Sequence, residues 1–282
     1  MHTIAKTARI AFQGEPGAFS QIAARKLLGE TIHTVACPTF ESLFDSIAAD
    51  RADLILAPLE NTLAGPVLRC YDLLYEGSLR MIGEVVLRIG HCVIGCPGST
   101  LEAIRRIQSH PVALAQCERF FAAHPGVVKA VAEDTAGSVR QIMDVLDPTV
   151  AAIASEFAAR EYGAQILASN VEDDPNNFTR FALLEPALNE PEVIPEADAT
   201  TLVITIANHP GALFHSLEAF ANNSVDLMSL VSRPLVGTPW HYRFFLEVAA
   251  AATEPRMIKA LEELEPRTVE LRVFGSYRSG KT

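Results

Sequence analysis

Short apolar runs alternate with amphipathic stretches from residue 8 to about residue 184. Arg9-Ile10-Ala11-Phe12 reads as a strand, and a glycine-rich turn then leads into a helix over 20–28. A second helix is predicted over 40–49, and a buried strand over 53–57 that ends at Pro58. Further on the pattern predicts a strand at 83–88 and helices at 100–108, 110–123 and 135–146. Strands follow at 150–154 and 165–168, and a buried strand opens at Phe181. Strands alternating with helices imply an α/β fold with a mostly parallel sheet. Ligands in such folds sit at the carboxyl ends of strands or between two lobes.

The rhythm breaks between Glu185 and Ala199. Pro186, Pro191 and Pro195, interleaved with Glu190, Glu192 and Glu196, read as an extended acidic linker that cannot continue a helix. Beyond it, strands are predicted at 201–207, 226–232, 241–248 and 268–275, with helices at 213–222 and 255–264. That is a βαββαβ order in under 80 residues, the ferredoxin-like arrangement. The domain reading is therefore 8–184, a linker over 185–199, and a smaller unit over 200–278. A four-stranded sheet with helices on one face leaves its other face and its edges to be covered, so a homodimer or homotetramer is expected.

Composition narrows the function classes. A net charge of −11 argues against nucleic acid or an anionic membrane as partner, because either needs a basic surface. An anionic ligand must then be captured by local groups and not by the field of the whole chain. The five cysteines are odd in number and scattered, which reads as reduced thiols in a cytoplasmic protein. Cys92 and Cys96 follow His91, but the residues between them read as buried strand and lack a second ligand pair at zinc-like spacing, so no metal is expected. The first eight residues carry no apolar signal core, and no stretch approaches membrane-spanning length.

Four short segments could carry chemistry. Gly14-Glu15-Pro16-Gly17-Ala18-Phe19-Ser20 joins the first strand to the first helix; its backbone N–H groups could meet an anion, and Ser20 could cap the helix. It lacks the spacing of a dinucleotide loop and the lysine of a nucleotide loop, so no cofactor is expected. Asn61 and Thr62, at the end of a buried strand, are short polar groups suited to fixing an oxygenated ligand, or to capping a turn. Asp134-Thr135-Ala136-Gly137-Ser138 opens a helix, with Asp134 or Thr135 available as its N-cap. Asn177-Phe178-Thr179-Arg180-Phe181 sets a hydroxyl beside a permanent cation at the mouth of a strand.

Together these segments resemble the prephenate dehydratase family over nearly the whole chain. The family's Glu-Asn-Ser motif stands here as Glu60-Asn61-Thr62, and its Thr-Arg-Phe signature is intact at Thr179-Arg180-Phe181. Its His-Pro-Gln-Ala-Leu-Ala-Gln-Cys motif stands as His110 to Cys117, with Val112 for glutamine. The opening glycine motif matches Gly14 to Ser20, and the second unit looks like an ACT regulatory domain with Gly211-Ala212-Leu213 as its effector motif. Val231-Ser232-Arg233-Pro234 departs from the family's Glu-Ser-Arg-Pro by losing the carboxylate.

The resemblance implies a two-lobed fold like that of periplasmic binding proteins, with the substrate between the lobes. It implies conversion of prephenate to phenylpyruvate in phenylalanine biosynthesis, with L-phenylalanine as feedback effector. Thr179 would serve the departing hydroxyl and Arg180 a substrate carboxylate, while Gly17, Ser20, Asn61, Thr62, Thr135, Ala136, Gly137 and Phe181 would complete the pocket. Asn208, Pro210, Gly211, Ala212, Leu213, Ser232 and Arg233 would form the effector site. The rival readings are an arogenate dehydratase and a non-catalytic sensor of small anions.

Overall fold

The computed structural model describes residues 8–187, 194–235 and 237–280; Glu190, Pro191 and Glu192 of the expected linker lie outside that range. In chain order the elements begin β1 (Arg9–Gln13), α1 (Phe19–Leu28), β2 (His33–Cys37), α2 (Phe40–Ala48) and β3 (Leu54–Asn61). Next come β4 (Gly65–Pro66), α3 (Leu68–Glu76), β5 (Leu79–Arg88), β6 (Cys92–Gly95), a 3₁₀ turn (Leu101–Ala103) and β7 (Arg106–Ser109). Then follow α4 (Pro111–Ala115), α5 (Glu118–Ala123), β8 (Val128–Val131), α6 (Thr135–Val145), β9 (Val150–Ala154), α7 (Glu156–Tyr162), β10 (Gln165–Ser169) and β11 (Phe178–Pro186). The chain closes with β12 (Ala199–Thr205), α8 (Ala212–Asn222), β13 (Leu227–Pro234), β14 (Tyr242–Val248), α9 (Pro255–Leu264), a 3₁₀ turn (Glu265–Arg267) and β15 (Glu270–Tyr277).

Two compact units result. One comprises the described part of Lys6–Val67 with Val86–Phe181; the other comprises Leu68–Val85 with the described part of Ala182–Thr282. The first unit is built on two sheets. One has the order β2-β1-β3-β11-β5 with β4 on β3, and the other the order β10-β6-β9-β7-β8. The strands β5 and β11 carry the chain from one unit into the other. Parallel pairing holds for β1 with β2 and β3, and for β7 with β8 and β9. The pairs β10–β6 and β6–β9 are antiparallel, so the second sheet is mixed, half parallel and half antiparallel, where a mostly parallel sheet was expected.

Three predicted elements change. Leu101, Ile104 and Ile107 are spaced like one helix face, but Ile107 belongs to β7, where burial alternates along Arg106–Ser109. The helix expected over 110–123 is two short helices, broken at Cys117, whose φ of −126° is not helical. The strand expected to end at Pro58 runs on to Asn61. Its pairing with β1 stops at Leu56, so Pro58 withdraws no N–H from that ladder.

The second unit carries the βαββαβ order as an antiparallel sheet, β13-β14-β12-β15. α8 and α9 cover one face through Phe220, Met257, Ala260 and Leu264 against Leu202, Ile204, Leu246 and Val248. The opposite face is not bare, as the sequence reading assumed. Residues 68–85 lie on it: Tyr71 meets Phe245 with ring centroids 5.1 Å apart, and the Thr201 hydroxyl reaches Met81 Sδ at 3.6 Å. A Cβ on Gly275 would come within 2.1 Å of the Met81 carbonyl oxygen, so only glycine admits that strand to such close approach. The case for oligomerisation is left with the edge strands β13 and β15.

Candidate active site

A cavity of about 400 Å³ opens within the first unit, walled by residues from both of its sheets. Gln13, Phe19 and Ser20 come from β1 and the start of α1, and Asn61 from the end of β3. Thr179 and Phe181 come from β11; His110, Gln116 and Thr135 come from the second sheet's helices and turns. Of the predicted residues, Ser20, Asn61, Thr135, Thr179 and Phe181 meet here.

Gly17, Thr62, Ala136 and Gly137 do not line the cavity; each supports a wall. Gly17, at φ +92°, donates its N–H to Gln21 Oε1 at 2.8 Å and accepts from Ser155 Oγ at 2.8 Å. The Thr62 hydroxyl donates to the Asn176 carbonyl at 2.8 Å and accepts from Phe178 N at 3.0 Å, pinning the start of β11. Ala136 is fully buried in the core, and Gly137 N–H donates to Asp134 Oδ1 at 2.6 Å, so Asp134 is the N-cap of α6. Ser20 is not a cap: Ala18 holds that position, which leaves the serine in the first helical turn facing the cavity.

Arg180 is also absent from the cavity wall. Successive strand side chains point to opposite faces, and Thr179 and Phe181 take the cavity face. Arg180 is buried on the other side, with Nη2 3.5 Å from Glu60 Oε2. The carboxylate-binding role expected of it therefore has no geometric support. Among the described residues no Lys or Arg lines the cavity, whereas Glu133 and Asp134 do.

What the sequence did not reveal is a chain of side-chain amides. Asn61 Oδ1 accepts from the backbone N–H groups of Leu63 (3.0 Å) and Ala64 (2.8 Å), which fixes its amide orientation. Its Nδ2 then donates to Thr179 Oγ1 at 3.0 Å and to Asn177 Oδ1 at 2.7 Å. Asn177, fully buried, donates through Nδ2 to Gln116 Oε1 at 2.9 Å, and that oxygen lies 3.0 Å from His91 Nε2. Thr179 Oγ is occupied as an acceptor, which leaves its own proton free to be donated into the cavity.

Histidines 91 and 110 both line the cavity, and burial lowers the pKa of each, so both favour the neutral ring. The five cysteines are buried and free; burial pushes the Cys117 thiol up to about 12, which removes it as a nucleophile at neutral pH. Among the described residues no helix is long and apolar enough to cross a membrane.

The second unit has its own cavity of about 380 Å³ at the start of α8. Asn208, Gly211, Ala212 and Leu213 line it as expected, joined by Trp240, Tyr242 and Phe244. Gly211, at φ +85°, forms the N-cap of α8 without a side-chain bond, so the helix start is open to a ligand carboxylate. Pro210, Ser232 and Arg233 do not line it. Arg233 forms a two-point pair with Asp72 of α3, at 2.7 and 2.5 Å, and Val231 is buried opposite Phe245.

These features define a two-sheet α/β unit with a small-molecule cavity, followed in the chain by a ferredoxin-like unit with a second cavity. The family model for prephenate dehydratase matches residues 10–188. Arogenate dehydratase/prephenate dehydratase 2 of Arabidopsis thaliana, a chloroplastic protein, is 37% identical over 281 residues, 95% of this chain and 72% of that protein. The bifunctional chorismate mutase/prephenate dehydratase of Escherichia coli K12 is 34% identical, over 97% of this chain and 71% of that protein. The crystal structure of prephenate dehydratase from Arthrobacter aurescens in complex with L-Phe superposes with a TM-score of 0.88 at 30% identity, covering 96% of this chain and 90% of that one. A structure described as a novel type of quorum quenching acylase superposes at 0.89 with 34% identity, covering 97% and 98%. The chain belongs to the prephenate dehydratase family.

Proposed function

We propose that the first unit removes water and carbon dioxide from prephenate, giving phenylpyruvate. The ring C–O bond and the C–C bond to the ring carboxylate break. The pair from the C–C bond completes the aromatic ring, and the hydroxyl leaves with an added proton as water. Aromatisation supplies the driving force, so the protein has to position the substrate and provide the proton. The observation that carries this reading is Thr179 on the cavity wall, its oxygen already engaged by Asn61 and its proton left to donate. Threonine is a weak acid, so its role is a hydrogen bond directed at the charge developing on the departing oxygen. Ser20 and Thr135 offer further uncharged donors for the carboxylates.

Thr179→Val removes the hydroxyl while keeping shape. Turnover of prephenate, followed by phenylpyruvate absorbance after exhaustive chelation of metals, should fall by about 10²- to 10⁴-fold in the variant. Near-normal turnover in a folded Thr179→Val protein would sink the assignment.

A second reading, arogenate as substrate, is favoured by one observation. With Glu133 and Asp134 in the wall and neither Lys nor Arg among its described residues, the cavity suits an ammonium-bearing side chain. Parallel assays on prephenate and L-arogenate decide between them.

The second unit is read as an ACT domain that takes L-phenylalanine at the open start of α8, its ring among Trp240, Tyr242 and Phe244. A cytoplasmic homo-oligomer completes the proposal, in keeping with the free thiols and the exposed sheet edges; light scattering giving only the 30.6 kDa monomer would refute the oligomer.

A further inference from the structure

The amide chain behind Thr179 has a direction, and that direction originates in the backbone. Leu63 and Ala64 donate to Asn61 Oδ1, so Asn61 must present its NH₂ group to Asn177 and Thr179. Asn177 then accepts from Asn61 and must present its own NH₂ to Gln116. Gln116 answers with Oε1, an oxygen that can only accept. His91 Nε2, 3.0 Å from that same oxygen, must therefore carry the proton.

The other ring nitrogen agrees. His91 Nδ1 is buried and has no hydrogen-bond partner among the described residues, and the side chain is 2% exposed, in an edge-on aromatic pair with Phe19 at 5.6 Å. A proton on Nδ1 would be a buried donor without an acceptor, whereas a bare lone pair there is tolerated at much lower cost. The main chain around His91 is itself fixed, because His91 N donates to Glu172 Oε2 at 2.9 Å and Arg88 holds the other carboxylate oxygen.

We infer that His91 is a positioning residue of the active site: locked as the neutral Nε2–H tautomer, it terminates a one-way amide chain that keeps Thr179 turned as a proton donor. Without the His91 proton, Gln116 loses one of the two donors that orient its oxygen. Gln116 can then turn over and Asn177 with it, which sets the Asn177 NH₂ against the backbone-fixed NH₂ of Asn61 and pushes that group off Thr179. This inference rests on Thr179 being the donor in the dehydration.

The test is a mutant cycle in the full-length protein. His91→Leu should lower kcat on the order of 10²-fold with KM little changed, as expected for a misplaced donor. His91→Gln, whose amide NH₂ can occupy the place of Nε2–H, should retain most of the rate. In a Thr179→Val background His91→Leu should lower the rate no further. Nitrogen-15 spectra of labelled histidine should show His91 as a neutral ring protonated at Nε2. If His91→Leu does not fold, Gln116→Met enters the same cycle. A His91→Leu effect of equal size with and without the Thr179 hydroxyl overturns the inference while leaving Thr179 in place. A ring protonated at Nδ1 also overturns it. Near-normal turnover in Thr179→Val instead overturns the donor reading on which it stands.

Discussion

At the scale of single residues, the site is held by groups whose substitution should be felt far more than their size suggests. Gly17 has φ +92°, and a Cβ there would lie 2.8 Å from Ala158 Cα, a backbone atom that cannot step aside. Gly17→Ala combines strain with that clash and should lower stability by about 1–3 kcal/mol, read from the urea midpoint. The buried histidines give a pH dependence with a definite sign. Burial depresses the His91 and His110 pKa values below the ordinary 6.5, so between those values and 6.5 the unfolded chain binds protons that the folded one refuses. Their contribution is intact above about pH 6.5 and is lost as the pH falls. Urea unfolding at pH 7.5 and 5.5 should show a lower stability at the acid end, and His91→Gln should flatten part of that slope. An unchanged slope in the variant would mean that His91 takes up its proton in the folded protein as easily as in water.

At the scale of elements, what could be read from the sequence was what each segment carries in itself. α1, α2, α6, α8 and α9 have local signals, and α6 shows why: Asp134 accepts from Gly137 N, the third residue of the helix, as a cap placed directly before the apolar periodicity. Asp134→Ala should destabilise by about 1 kcal/mol in a thermal melt, and Asp134→Asn should restore most of it, because the cap needs an oxygen and not a charge. Elements defined by their neighbours were not legible. β2 and β8 are edge strands with little buried surface, and neither shows an apolar run longer than three residues. β7 was mistaken for helix because three apolar residues at threefold spacing served three different structures. The amide chain was the least legible part, since Asn61 and Asn177 meet across 116 positions and neither announces the other. The Thr-Arg-Phe signature lies on β11, which lines the cavity through Thr179 and Phe181. Strand alternation, which the same run of residues implies, is what separates Thr179 from Arg180.

At the scale of the whole molecule, the segment 68–85 is the unexpected part, because it follows Val67 on the wall of the first cavity and yet packs in the second unit. Its ties to the ferredoxin-like sheet are specific. Arg233 grips Asp72 at two points, Arg243 stacks 3.1 Å over the Tyr75 ring, and Tyr75 donates its hydroxyl to Glu270 at 2.7 Å. Arg233 was expected to line the effector cavity and instead holds α3, so in the proposed regulation by L-phenylalanine it stands outside the recognition site. A planar two-point pair fixes orientation as well as distance, which makes the guanidinium fork the important feature. Arg233→Gln should accordingly leave L-phenylalanine affinity near its parent value when titrated calorimetrically without substrate. If the pair transmits the effector's signal, inhibition of turnover by L-phenylalanine should shrink, since coupling between two sites is typically worth on the order of 1–3 kcal/mol. Asp72→Asn, which keeps the shape and discharges the pair, should lie between the two. Loss of calorimetric binding in Arg233→Gln would return the arginine to the effector site itself, and full inhibition with full binding would show that the Asp72 pair transmits nothing.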